Sequence, residues 1–124
     1  MVRDLNELIF LTRKWAYDRN IIGGSDFYRQ YMKAQSEMGE LADALLKGQR
    51  DETRDAIGDV LVCLINLSEQ CQLSLQECLE ASYDEIKDRK GVMWQGVFVK
   101  ESDPEYNRIM EKINGSHDET NGSV

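Results

Sequence analysis

Residues 33–66 read KAQSEMGELADALLKGQRDETRDAIGDVLVCLIN, and the fold turns on this stretch. Apolar residues recur at helical spacing on both sides of Lys47-Gly48-Gln49-Arg50. That pattern predicts two helices folded back on each other by a short connector. Each half carries a carboxylate cluster. Glu37 and Glu40 stand three apart in the first half; Asp55 and Asp59 stand four apart in the second, with Glu52 three before Asp55. Such spacings place side chains on one helix face, so closing the hairpin would bring two acidic patches together.

The second of these helices is expected from about Asp51 to Gln70. From Ile57 onward, IGDVLVCLINL is apolar nearly all round, the pattern of a central, largely buried helix. Asp59 sits inside that run, with Asn66 seven residues further on near the same face. A carboxylate buried there is costly unless it is paired or coordinates a metal. The first helix of the pair opens at Ser25 or Asp26 and aligns Gln30, Lys33, Glu37 and Glu40 on one face. Gly39 and Gly58, each just before a carboxylate, suggest close approach of another helix or of a ligand.

Toward the N-terminus, Asp4 and Glu7 have the spacing of a capping box, opening a helix to about Arg19. Gly23-Gly24 marks a turn. Trp15 has two readings: a core anchor, or a wall on which a nucleobase stacks. Toward the C-terminus, Ser74 and Glu77 open a further helix through about Arg89, with Leu75, Cys78, Leu79, Ser82 and Ile86 on its inner stripe. Gly91 and Gly96 bracket alternating residues that suggest an extended arm or hairpin. A short helix follows, with Pro104 at its first turn. Residues 1–114 read as one domain, and 115–124 as a polar tail expected to be disordered. The expected class is an all-α antiparallel bundle of four to five helices with a short extended C-terminal arm, completed by oligomerisation.

Composition bounds the function. With 124 residues, a net charge of −8 and a pI near 4.6, broad binding to nucleic acid or to an anionic membrane is disfavoured. The single histidine, His117, lies in the polar tail, which argues against histidine-based zinc and di-iron sites. Three cysteines without a CxxC pair, and an N-terminus unlike a signal peptide, point to a reducing cytoplasm. No run of residues is long and apolar enough to span a membrane.

Carboxylates gathered from two helices suit Mg²⁺, with Mn²⁺ as a substitute, and such ions bridge proteins to phosphates. Lys33 could meet a phosphate, and Lys87, Arg89, Lys90 and Lys100 form the other basic group. Acidic residues at helical spacing are also commonly a solvated face, and Lys33 with Glu37 is also an ordinary ion pair. Spacing and chemistry alone leave the metal site level with that alternative.

Laid out as Gln30-x-x-Lys33-x-x-x-Glu37-Met-Gly-Glu40-Leu, then Asp55-Ala-Ile-Gly-Asp59-Val-Leu-Val, the core resembles the MazG-like all-α nucleoside triphosphate pyrophosphohydrolases, whose signature is ExxE followed by ExxD. WAYDRNI and YDEIKDRKGVMWQGVFVKE strengthen the resemblance, which covers about residues 10–101. It implies a helical bundle completed as a dimer or tetramer, and Mg²⁺-dependent cleavage of (d)NTP to (d)NMP and pyrophosphate. Glu37, Glu40 and Asp59 match the family's metal positions. The glutamate expected three before Asp59 is Ala56. Either Asp55 substitutes for it, or Glu52-x-x-Asp55 is itself the second motif; the Gly-Asp-Val-Leu context favours the first. The resemblance thus implies metal ligands Glu37, Glu40, Asp55 and Asp59, catalytic roles for Glu37, Glu40 and Lys33, and substrate contacts from Lys33, Gln30, Trp15, Asn66, Arg89 and Lys100. Alternatives are a non-catalytic helical dimerisation module meeting a basic partner, and a base-specific dUTP, dCTP or dGTP enzyme of the same fold.

Overall fold

A computed structural model describes residues 2–122, with side chains as far as residue 115. In chain order the elements are α1 (Leu5–Asp18), α2 (Ile21–Gly24), α3 (Phe27–Leu46), α4 (Arg50–Gln70), α5 (Leu75–Ile86), β1 (Gly91–Trp94), β2 (Val97–Lys100) and α6 (Tyr106–Gly122). The protein is therefore mostly helical, with one small antiparallel sheet.

Three of the helices, α1, α3 and α5, begin where a side-chain oxygen takes up an unpaired backbone N–H group. Asp4 accepts from the Glu7 N–H at 2.8 Å, and Asp26 accepts from the Arg29 N–H at 2.8 Å. Ser74 Oγ accepts from the Glu77 N–H at 3.1 Å. Between α1 and α3 a plain turn was expected, but Ile21–Gly24 forms one helical turn. It is entered through Asn20 in the left-handed region (φ 56°) and closed by the Gly24 N–H donating to the Asn20 carbonyl at 2.8 Å.

The chain divides into two compact units, Met1–Glu80 and Ala81–Val124. In the first, α3 and α4 pack against each other, and α1 and α2 both pack on α4. The hairpin closes at Gly48, whose φ of 66° supplies the left-handed residue that ends α3. The Gln49 N–H donates to the Ala44 carbonyl at 3.0 Å, so α4 starts at once. Buried Ala34, Ala44, Ala56 and Cys63 make the seam between small side chains. A polar clamp ties α1 to α4: the Tyr17 hydroxyl donates to Glu69 at 2.8 Å, and the Arg13 guanidinium pairs with the same carboxylate. The bond to Glu69 pushes the Tyr17 pKa above its ordinary value, aided by burial and by the Glu69 charge and opposed by Arg13.

In the second unit, β1 and β2 form a hairpin with Gly91 opposite Lys100 and Trp94 opposite Val97. Gln95 (φ 51°) and Gly96 (φ 82°) make its two-residue turn. Both residues have positive φ, as a turn matched to strand twist requires. α6 packs on β1, with Ile109 as its buried side chain. Pro104 precedes α6 rather than lying in its first turn. The α6 backbone extends to Gly122, so the expected disordered tail begins within a helical span. The side chains from residue 116 onward, including His117, and all of residues 123 and 124 lie outside the described residues.

Several expectations change. α4 is not largely buried: Ile57, Leu61 and Leu64 are exposed, Leu61 at 42%. Within the first unit, α1, α2 and α3 pack on α4 and leave Ile57, Leu61 and Leu64 exposed. Trp15 is not a core anchor; it is 43% exposed, with the Arg19 guanidinium 4.8 Å from its ring centre. The inner stripe of α5 is not buried either, with Leu79 and Ile86 exposed. Gly39 and Gly58 do not mark a close helix approach, because a Cβ at either would meet open space. No helix among the described residues is long and apolar enough to cross a membrane.

Candidate functional site

Antiparallel helices joined at Gly48 place opposite one another the residues equidistant from that glycine. The pairs are Glu40 with Ala56, Glu37 with Asp59, Lys33 with Cys63, and Gln30 with Asn66. The spacings of three and four keep all of these on the α3–α4 seam. The local fields agree with this ladder. Glu37 feels the charges of Glu40, Asp59 and Lys33, and Cys63 feels those of Lys33, Glu37 and Asp59.

Glu37 is the centre of the site. It is half-buried, and its Oε2 is shut off from solvent without a hydrogen-bond partner. Its pKa is raised, first by hydrogen bonding with the neighbouring Glu40 carboxyl. Burial and the negative charges of Glu40 and Asp59 push it the same way, and Lys33 opposes them. Asp59 is half-buried, while Glu40 and Lys33 are exposed. The Cys63 thiol is buried at 3% exposure and held above its ordinary pKa chiefly by that burial, so it is an inert filler rather than a nucleophile.

The remaining predicted residues divide by position. Asp55 is exposed and is not among the charges acting on Glu37. Ala56, where the resemblance leads one to expect a glutamate, is 4% exposed and lies opposite Glu40. Gln30 and Asn66 are buried polar residues, at 8% and 4% exposure, and each has an unpartnered side-chain carbonyl oxygen. Trp15 lies on α1, outside the hairpin. Arg89 and Lys100 belong to the second unit, where Arg89 pairs with Glu85 at 3.5 Å and Lys100 ends β2. Gln70 was missed. Its Oε1 is also buried and unpartnered, and its place four residues after Asn66 was the signal that could have found it.

The donor set suits a hard divalent cation. Glu37 brings an orphaned oxygen, and crowding with Glu40 and Asp59 gives a charge density that a cation would relieve. Among the described residues, no three His, Cys, Asp or Glu side chains already converge closely enough to hold a metal. A cavity of about 130 Å³ lies elsewhere, between α1, α4 and the start of α5, and is lined by none of the predicted site residues.

No solved structure matches the chain significantly. A protein of Haemophilus phage HP1 (strain HP1c1), described as an uncharacterized 18.2 kDa protein in the rep-hol intergenic region, is 37% identical over 67 residues. The match covers 54% of this chain and 41% of that protein, so it spans less than half of the relative's length. The profile of the MazG nucleotide pyrophosphohydrolase domain matches residues 29–94, a span that holds nearly all of α3, all of α4 and the site carboxylates Glu37, Glu40, Asp55 and Asp59. With more than half its length matched, and with the helical hairpin that carries the paired acidic clusters, the chain belongs to the MazG nucleotide pyrophosphohydrolase domain family.

Proposed function

We propose that the protein hydrolyses nucleoside triphosphates to the monophosphate and pyrophosphate in a Mg²⁺-dependent reaction, with Mn²⁺ able to substitute, and so acts on the nucleotide pool. The observation that carries this is the state of Glu37: a carboxylate with a solvent-excluded, unpartnered oxygen, crowded by Glu40 and Asp59. Glu37, Glu40 and Asp59 would hold the cation, with Asp55 as the candidate fourth ligand. When bound, the cation supplies charge neutralisation and polarises phosphoryl oxygens. The protein's part is to orient a water and take its proton. Glu37 or Glu40 would orient that water and accept its proton. The oxygen of that water bonds to phosphorus as the α–β anhydride bond breaks, and pyrophosphate leaves. Lys33 places a point charge on the phosphates. Trp15, Gln30 and Asn66 would meet base or sugar.

The exposed Ile57, Leu61 and Leu64 support a homodimer or homotetramer that covers the outer face of α4. Three free cysteines suit a reducing cytoplasm. The test is a panel of deoxynucleoside triphosphates with Mg²⁺, reading products by chromatography. Monophosphate and pyrophosphate in equal amounts are expected, with Glu40→Ala slower by about 10²–10⁴-fold. Stepwise release of orthophosphate, or undiminished turnover in Glu40→Ala, would refute the proposal. An inert panel would favour a non-catalytic helical module that meets a basic partner through its acidic faces.

A further inference from the structure

We draw no further inference here: the strongest candidate, the cavity of about 130 Å³ between α1, α4 and the start of α5, is lined by Arg13, already paired with Glu69, and by the apolar Ile9, Phe10, Ile65 and Leu75, and nothing in the structure shows what covers it.

Discussion

Ala56→Glu is the most informative single change, because it installs the glutamate that the ExxD pattern would place there. Ala56 is 4% exposed and lies opposite Glu40 on the hairpin seam. Adding a longer side chain to a packed seam costs about 1–3 kcal/mol. An unpaired carboxylate adds a desolvation and like-charge penalty of the same order, beside a Glu37 already crowded by Glu40 and Asp59. A total near 3 kcal/mol, at about 3–5 °C per kcal/mol for a chain of this size, lowers Tm by about 10–15 °C in chelator. A divalent cation reverses the sign of the local interaction, and 100-fold saturation of a site stabilises by about 2.7 kcal/mol. Differential scanning fluorimetry with EDTA or Mg²⁺ should therefore show a larger Mg²⁺-induced rise in Ala56→Glu than in the wild type. Equal rises would refute the placement of position 56 on the metal-facing side. In the same assay, loss of the wild-type rise in Asp55→Asn would make Asp55 the fourth ligand, and an unchanged rise would remove it.

Two further outcomes test the rest of the structure. Gly91→Ala should destabilise the second unit by about 1–3 kcal/mol, because a Cβ there would run into the Phe98 ring and come within 2.6 Å of the Val99 carbonyl oxygen; Trp94 near-ultraviolet dichroism reads the loss, and an unperturbed signal would refute the strand register. Tyr17→Phe should lower Tm at neutral pH through loss of the bond to Glu69. Because the folded-state pKa of Tyr17 is raised, this contribution is complete below its ordinary value of 10.0 and fades as pH rises through the higher folded value. The gap in Tm between wild type and Tyr17→Phe should therefore close only in strong alkali, and a gap that closes near neutrality would show that the clamp is not formed.

Local chemistry was the legible part of this sequence. Asp4 with Glu7 and Ser74 with Glu77 are capping pairs that act within one turn, so their spacing alone locates two helix starts. Gly48 marks the hairpin for a similar reason, since a left-handed residue must end α3 there. The shared face of Gln30, Lys33 and Glu37 follows from helical periodicity. The misreadings concern what lies across from a helix. The all-round apolar run after Ile57 reads as burial, yet α1, α2 and α3 pack on α4 and leave Leu61 exposed. Trp15 follows the apolar stripe but turns to Arg19 at the surface. Gln70 escaped notice because an isolated glutamine on a helix carries no charge pattern, and its role shows only through an unpaired oxygen.

The three-residue connector between α3 and α4 has a kinetic consequence. Every group on the ladder from Gln30 to Asn66 belongs to one continuous hairpin, so assembling it requires the closure of only a very short loop. Helical hairpins of such low contact order form among the fastest events in folding, well before distant segments meet. The acids are therefore brought face to face early, while the chain is still largely open to water. A free divalent cation present at that moment would act on the folding barrier as well as on the finished fold, speeding closure of the hairpin rather than only slowing its loss.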